Sequence, residues 1–210
     1  RSLVSSGYKV RVLDNLQRGD LKRLSQIDGK FEFVQCDIRD SKEVIAAAKD
    51  CHSIIHLAYV NGTKFFYSNP DLVLDIGIKG MVSILEACKL PDMQELFLAS
   101  SSEVYQNPAT IPTPEDVPLI IPDAYNPRYS YGGGKIISEL LAIHNASKSL
   151  KRTVIFRPHN VYGPDMGTEH VIPELIIRLN KLKNGNNNFA IQGSGKETRS
   201  YMFIDDFTSA

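Results

Sequence analysis

Tyr131 and Lys135 are the two residues of this sequence best suited to chemistry. On a helix, residues four positions apart lie one above the other. A lysine ammonium placed there can stabilise a phenolate and lower the tyrosine pKa from ~10 towards neutral. With a serine hydroxyl from the run Ser100–Ser102 beside the phenol, the group could move a proton on and off a sugar or alcohol hydroxyl.

Composition and charge are those of a globular enzyme. The 210 residues are 42% hydrophobic, with 24 basic and 24 acidic side chains and a formal net charge of +0. This balance gives no reason to expect nucleic acid or a membrane as a partner. No apolar run approaches the ~20 residues of a membrane span, and we recognise no signal peptide. Cys36, Cys51 and Cys88 lack disulfide or zinc spacing, so we expect no metal and a cytoplasmic location.

Short β-rich runs alternate with helical patterns along the chain. The predicted strands are 9–13, 31–36, 53–57, 95–99 and 153–157, and the predicted helices are 41–49, 71–89 and 129–148. Near-continuous apolar strands separated by helices predict a parallel sheet covered on both faces. With right-handed crossovers, the prediction is an α/β fold with a doubly wound, Rossmann-like sheet that binds a dinucleotide.

Polar residues follow the predicted strands, at the ends where parallel sheets bind their ligands. The three pairs at successive strand ends are Asp14–Asn15, Asp37–Ile38 and Leu57–Ala58. An acidic residue such as Asp14 can accept both hydroxyls of an adenosine ribose, which favours NAD over NADP. One aspartate after a strand is as often a turn former or a helix cap, but the recurrence favours a cofactor site.

Several short motifs occur in a fixed order along essentially the whole chain. They are 12–16, 36–40, 56–58, 100–105, Tyr131 with Lys135, 157–164, 199–201 and 205–206. Each motif alone is weak, since a Tyr and a Lys at this spacing occur by chance in many proteins. The ordered set resembles the extended short-chain dehydrogenase/reductase superfamily, in its NAD-dependent nucleotide-sugar epimerase/dehydratase branch.

The resemblance implies hydride transfer coupled to proton transfer, with NAD as cofactor and a nucleotide sugar as substrate. Tyr131, as phenolate, would take the proton from a sugar hydroxyl while NAD accepts the hydride from the same carbon. Lys135 would lower the pKa of Tyr131 and bond the nicotinamide ribose. Ser101 matches the catalytic Ser or Thr of the family, and Pro158 lies where the chain passes the nicotinamide.

The resemblance also assigns residues to the substrate. Asn160 and Arg199 match positions that hold the nucleotide-sugar pyrophosphate, and an arginine suits that task as a bidentate donor. Ser102 matches a further substrate position, and His170 stands where 4-epimerases commonly carry an Asn near the nucleotide base. Gly77 stands where the family often has an Asn on the long helix.

Glu103 bears on the type of reaction. In 4,6-dehydratases an Asp-Glu pair after the catalytic Thr protonates the departing hydroxyl, whereas here the pair is Ser102–Glu103. Ser-Glu resembles the nucleotide-sugar decarboxylases, in which the Glu and a downstream Arg assist loss of carboxylate; Arg199 would serve either reaction. We rank an epimerase first, a decarboxylase second and a dehydratase third. A non-catalytic dinucleotide-binding scaffold is a further alternative, although such proteins usually lose the Tyr or the Lys.

Gly132–Gly134 separate the tyrosine from the lysine. Each glycine inside a helix costs ~1 kcal/mol relative to alanine, so three in one turn need an explanation. Two remain open at this point. Either a sugar or a backbone segment approaches closely over that turn, or the helix has a flexible start.

The family begins with a strand and a G-x-x-G-x-x-G turn whose amides hold the pyrophosphate. Residues 1–7 resemble the tail of the helix after that turn, so we expect an internal fragment without the first, central strand and its glycine loop. The expected domains are 1–165, which is Rossmann-like and binds NAD, and 166–210, part of a smaller substrate-binding domain. The resemblance further implies a homodimer through the helices 71–89 and 129–148, since the second has an unusually wide apolar face.

Overall fold

The computed structural model describes residues 1–168, 170–182, 189–191 and 193–210. These residues form two compact units, Arg1–Arg157 and Pro158–Ala210. The first unit contains the alternating strands and helices predicted from the sequence, and the second contains a pair of short strands with two helices.

Two parallel sheets form the centre of the first unit. In one, β1 (Arg11–Asp14) pairs with β2 (Glu32–Gln35). In the other, β3 (Ser53–His56), β4 (Glu95–Ala99) and β5 (Arg152–Phe156) are hydrogen-bonded in that order, with β4 in the middle. All five strands lie where the sequence predicted them, with bounds that differ by at most two residues. The predicted α/β fold with parallel strands is confirmed.

The two sheets are separate. Within residues 1–157, which are all described, no ladder joins β1 to β3. The orders β2–β1 and β3–β4–β5 correspond to the 3-2 and 4-5-6 parts of the strand order 3-2-1-4-5-6, which is typical of a doubly wound dinucleotide-binding sheet. One edge of β1 and one edge of β3 therefore have no strand partner, and Ile55 and Leu57 of the β3 segment are 43% and 60% exposed.

Helices connect the strands of the first unit. Their bounds are Ser2–Ser5 (α1), Ser41–Ala48 (α2), Thr63–Ser68 (α3), Pro70–Ala87 (α4) and Ser130–His144 (α5). Short 3-10 turns lie at Leu21–Ile27, Ser102–Val104, Pro127–Tyr129 and Ala146–Lys148. The predicted helix 129–148 is thus a helix followed by a separate turn. Asn145 follows the last residue of the helix, and its side-chain amide donates to the Leu141 carbonyl at 3.1 Å.

Helix α4 is central to the packing, since it contacts both α2 and α5. It begins at Pro70, where the missing N–H of proline leaves no hydrogen bond unmade. Helix α2 begins where the Asp40 carboxylate accepts from the amides of Lys42 and Glu43 at 3.0 and 3.1 Å. Apolar side chains of α4 and β4 then form a core that contains the fully buried residues Val73, Met81, Leu96 and Leu98.

In the second unit, β6 (Asn160–Tyr162) pairs in parallel with β7 (Tyr201–Phe203). Two helices accompany this pair, Val171–Leu182 (α6) and Ile204–Ser209 (α7). Among the described residues, no helix combines the length and the apolar character needed to cross a bilayer. The same residues contain no cluster of three or more His, Cys, Asp and Glu placed to hold a metal ion.

Candidate active site

Tyr131 lies at the start of α5 inside an aromatic cluster. Only 7% of the residue is exposed. The Phe66 ring stacks on it with centroids 5.1 Å apart, and the Tyr59 ring meets it edge to face at 5.2 Å. These two rings come from α3 and from the segment after β3, so the phenol is held from two sides by a part of the chain distant in sequence.

Lys135 lies one helical turn after Tyr131 and is 3% exposed. Its Nζ donates to the carbonyl of Ala99, the last residue of β4, at 2.7 Å. The same ammonium lies 4.1 Å from the centroid of the Tyr59 ring and 5.7 Å from that of Tyr131. The lysine is therefore fixed by a strand end and by an aromatic face.

Ser101 follows β4 and brings a hydroxyl to the phenol. The residue is 9% exposed, and its Oγ accepts from the amide of Glu103 at 3.2 Å. A hydrogen bond from this hydroxyl to Tyr131 favours the phenolate. The structure thus brings Ser101, Tyr131 and Lys135 together at the carboxyl end of β4, from segments about thirty residues apart.

The pKa of Tyr131 runs against the sequence-based expectation. Burial raises it to about 12, which outweighs the hydrogen bond from Ser101, and the nearby Glu103 carboxylate raises it further. The expectation that Lys135 brings this pKa towards neutral is wrong for the protein without a ligand. Spacing on a helix correctly placed the two residues on one face, but the ammonium is directed to Ala99 and Tyr59.

Burial acts on the neighbouring cations as well. It lowers the pKa of Lys135 to about 7, although the Glu139 carboxylate one turn further along α5 favours the charged form. His56, at the end of β3, is 4% exposed, and burial together with Lys135 lowers its pKa to about 3. His56 is consequently a neutral imidazole in the folded protein at neutral pH.

A buried ion pair supports α5 behind Lys135. Glu139 is 2% exposed, and its carboxylate accepts two hydrogen bonds from the guanidinium of Arg157, at 2.9 and 2.6 Å. Ser100 donates to the same carboxylate, and Arg157 also donates to the Tyr105 hydroxyl at 2.8 Å. Sequence reasoning missed Glu139. The available signal was an acidic residue on the apolar face of the helix, four positions after the lysine.

Glu103 reaches the edge of this site and has a cationic partner there. Its Oε2 lies 3.7 Å from Nη2 of Arg128, a residue that the sequence did not single out. The carboxylate is close enough to Tyr131 to raise the pKa of the phenol. Ser102, the predicted substrate residue beside it, opens the 3-10 turn that carries Glu103.

Close approach, rather than a flexible helix start, accounts for Gly132 and Gly134, two of the three glycines of α5. A Cβ on Gly134 would lie 2.1 Å from the hydroxyl of Tyr59. A Cβ on Gly132 would lie 3.0 Å from the carbonyl oxygen of Glu103, which is backbone. Gly77 on α4 is in the same position as Gly134, because its Cβ would also lie 2.1 Å from the Tyr59 hydroxyl. Both helices thus have a glycine where they contact the hydroxyl of Tyr59.

The predicted cofactor residues Asp14, Asn15 and Asp37 come together at the ends of β1 and β2. Asp14 Oδ1 accepts from the amide of Leu16 at 2.7 Å, and Asn15 Nδ2 lies 3.4 Å from Asp37 Oδ2. Arg39 binds both oxygens of Asp37, at 3.0 and 2.8 Å, and these hydrogen bonds hold the pKa of that carboxyl at about 2. Asp37 is therefore an anion already paired within the protein.

The other predicted cofactor residues differ in accessibility. Ile38 is 8% exposed and packs against α4, where a Cβ on Gly80 would lie 2.9 Å from its Cγ2. Leu57 and Ala58 are exposed after β3, and Pro158 is the first residue of the second unit. The side chain of Ile38 is therefore part of the core, whereas Leu57 is accessible to a ligand.

Three predicted substrate residues, Asn160, His170 and Arg199, belong to the second unit. Asn160 Nδ2 donates to the Ser200 carbonyl at 3.0 Å, which brings it next to the segment that carries Arg199. Arg199 itself donates to the carbonyl of Thr198 at 2.8 Å. His170 lies just before α6 and its carbonyl accepts from the Glu174 amide at 3.0 Å.

Residues 1–210 match the family model described as the NAD dependent epimerase/dehydratase family. The chain belongs to this family. Its members are NAD-dependent epimerases and dehydratases, and the fold of this chain is that of the family. The resemblance predicted from the sequence is confirmed.

Relatives with different reactions are similar to this member of the family. A UDP-glucose 4-epimerase of Mycolicibacterium smegmatis is 31% identical over 99% of this chain and 66% of the relative. A UDP-N-acetyl-alpha-D-glucosaminuronate decarboxylase of Bacillus cytotoxicus is 27% identical over 99% of this chain and 64% of the relative. The crystal structure of a UDP-glucose 4-epimerase with UDP-glucose from Thermotoga maritima has a TM-score of 0.82 at 25% identity, over 99% of this chain and 65% of that one. The chain spans about two thirds of the length of these proteins.

Proposed function

We propose that this chain carries the active site of an NAD-dependent nucleotide-sugar epimerase, which works by reversible hydride transfer between a sugar carbon and tightly bound NAD. The observation that supports this most strongly is the burial of Ser101, Tyr131 and Lys135 together at the carboxyl end of β4. Perturbed, buried ionisable groups at a strand end are typical of catalytic sites in parallel sheets.

In this proposal Tyr131 is the general base and acid. The Ser101 hydroxyl is close enough to lower the pKa of Tyr131, so a sugar hydroxyl beside Ser101 would be within reach of the proton acceptor. Because burial keeps the phenol neutral, proton uptake from the sugar needs added positive charge near Tyr131. Oxidised NAD, when bound, supplies a hydride acceptor and a positive charge on its nicotinamide ring.

The donors and acceptors at the strand ends fit the adenosine part of NAD. Asp14 closes β1 and lies against the turn that follows, since a Cβ on Gly19 would be 2.6 Å from Asp14 Oδ1. We assign the ribose hydroxyls to this carboxylate and Asn15. We assign the adenine edge to Asp37–Ile38, with Asp37 oriented by Arg39, and the nicotinamide ribose to Lys135. Leu57, Ala58 and Pro158 would line the cofactor.

We assign the substrate pyrophosphate to Asn160 and Arg199, and the nucleotide base to the neighbourhood of His170. Arginine is suited to a pyrophosphate because its planar guanidinium donates two parallel hydrogen bonds. Asn160 is held towards the Arg199 segment by its hydrogen bond to the Ser200 carbonyl. Ser102 would contact the sugar next to Ser101.

Glu103 favours a decarboxylase as the second candidate. Its carboxylate lies close enough to Tyr131 to affect the pKa of the phenol, and Arg128 pairs with it at 3.7 Å. A carboxylate and a guanidinium at the edge of the site could assist loss of a sugar carboxylate. A 4,6-dehydratase ranks third, because Ser102 occupies the position at which those enzymes carry an acid.

The product distinguishes the three reactions. The protein is incubated with NAD and a panel of UDP-, GDP-, CDP- and dTDP-sugars that includes uronic acids, and the products are resolved by chromatography and mass spectrometry. An epimerase gives an isomer of unchanged mass, a decarboxylase loses CO2 and a dehydratase loses water. Formation of the isomer alone is the expected result.

Tyr131→Phe tests whether the site is catalytic. Removal of the general base should lower turnover by about 10²–10⁴-fold. Tyr125→Phe is a matched control, because Tyr125 is 97% exposed and its substitution should leave turnover unchanged. Equal turnover by Tyr131→Phe and the native protein would support the non-catalytic scaffold instead.

A further inference from the structure

Tyr59 is a second, partly buried tyrosine at the candidate active site, contributed by the segment after β3. Its ring lies next to both predicted catalytic side chains of α5. The centroid is 4.1 Å from Lys135 Nζ and 5.2 Å from the centroid of Tyr131. The Tyr131 ring itself is further from the ammonium, at 5.7 Å. The aromatic face nearest the lysine is therefore that of Tyr59.

The position of the Tyr59 ring is fixed by two helices. Its hydroxyl lies 2.1 Å from where a Cβ would be on Gly77 of α4 and on Gly134 of α5. Any other residue at either position would displace the tyrosine. Gly77 of α4 and Gly134 of α5 thus leave space for the side chain of Tyr59.

The hydroxyl of Tyr59 does not explain this arrangement. Within the described part of the chain it is a buried oxygen that has no hydrogen-bond partner. A buried hydroxyl left without a partner is unfavourable, so the tyrosine is not retained for the contacts of its oxygen. The contact that the ring makes with a buried cation is the stronger reason, because a cation over an aromatic face is most favourable where water is excluded.

We propose that Tyr59 is a positioning residue that holds the ammonium of Lys135 over its ring and keeps it in the charged form. The groups that face Lys135 are Glu139 and Tyr131 from α5, His56 from β3 and the carbonyl of Ala99 from β4. Glu139 favours the charged lysine, whereas burial opposes it. The ring of Tyr59, like Glu139, favours the charged form of Lys135, whichever reaction the enzyme performs.

The test changes the charge on the face of the ring at position 59 while keeping the shape of the ring. Tyr59→Phe is compared with versions of the same variant that carry one, two or three fluorines on the phenyl ring, since fluorine withdraws charge from the face. The pKa of Lys135 is read from the ¹³Cε shift of labelled lysine, with Lys135→Met to assign the signal. We expect Tyr59→Phe to keep the native pKa and the trifluorinated ring to lower it by about one unit, in steps.

Phe66 provides the matched control, because its ring contacts Tyr131 and is not over the ammonium. Fluorination of Phe66 should leave the pKa of Lys135 unchanged. A Lys135 pKa that ignores fluorination at position 59, or that responds equally at position 66, would overturn the proposal. The measurement needs neither NAD nor a sugar, so its failure is distinguishable from failure of the proposed function.

Discussion

Lys135 is buried at a cost that depends on pH. Burial lowers its pKa to about 7 in the folded chain, from 10.5 for an ordinary lysine. Between these values the unfolded chain binds more protons, so the free energy of unfolding should rise as pH rises through this window. The same gain in the free energy of unfolding is lost as pH falls to about 7. At its steepest the dependence is about 1.4 kcal/mol per pH unit.

Urea unfolding at about pH 7 and about pH 8 measures this slope. Lys135→Met should remove it. Lys148→Met is the control, since Lys148 is an exposed lysine in the turn after α5. The buried Cys36, Cys88 and Tyr131 do not interfere in this range, because a raised pKa of a thiol or a phenol affects stability only as pH rises above the unfolded value, ~8.5 for a thiol and ~10 for a phenol. A slope of the same sign that survives Lys135→Met would show that another group causes it.

At the scale of single residues, the sequence identified the candidate catalytic residues but did not predict the pKa of the phenol. Tyr131, Lys135 and Ser101 were predicted from residue type and order, and the structure brings them together. The direction of the Tyr131 pKa was predicted wrongly, because desolvation depends on Phe66 and Tyr59, which pack there only in the folded chain. No spacing rule relates those residues to α5.

At the scale of elements, the contact between α4 and Tyr59 predicts an unusual response to alanine. An added methyl at position 77 should gain ~1 kcal/mol in helix propensity. Gly77→Ala should nevertheless destabilise the protein by ~1–3 kcal/mol, because the methyl would overlap the Tyr59 ring. In a Tyr59→Ala background the same change should become stabilising, which a double-mutant cycle by urea unfolding would show.

Gly133→Ala is the control for that cycle. Its Cβ would meet only the tip of Ile121, at 3.2 Å, and Ile121 is a half-exposed side chain that can move. Its effect should be independent of residue 59. Additive effects of Gly77→Ala and Tyr59→Ala would contradict the close approach.

The ion pair between α5 and β5 gives a second prediction at this scale. Glu139→Gln should cost ~3–5 kcal/mol of unfolding free energy, because it leaves the Arg157 guanidinium without its buried counter-charge. Glu86→Gln removes the same charge from the exposed pair with Lys89 and should cost no more than ~1 kcal/mol. Thermal or urea unfolding of the two variants compares them directly. Similar losses would mean that Arg157 finds another partner or water.

The strands and helices were largely predictable from the sequence, whereas the contacts between them were not. Periodicity located the five strands and the helices near 41–49, 71–89 and 129–148 because apolar spacing reflects which face is buried. It missed α3 and α7, whose six residues each are too few to show a period, and it also missed the twelve-residue α6. It could not reveal why Gly134 is a glycine, since Tyr59 is distant in sequence.

At the scale of the molecule, helices α4 and α5 pack together and still expose large apolar side chains. Val82, Leu140 and Ile143 are each 45–51% exposed. We propose that these residues contribute to the expected homodimer. Leu140→Glu should convert a dimer to a monomer in analytical ultracentrifugation, whereas Ile111→Glu, at a position 85% exposed in the connection between β4 and α5, should not. A sedimentation coefficient insensitive to Leu140→Glu would place any interface elsewhere.

Strand β4 belongs both to the hydrophobic core and to the candidate active site. Its Leu96 and Leu98 are fully buried, its last residue, Ala99, accepts the hydrogen bond from Lys135, and Ser101 follows two residues later. Because protein interiors are close-packed and transmit strain, a core substitution that shifts β4 would also shift the groups that hold Lys135 and Ser101. Packing faults far from the site should therefore be read out as losses of turnover.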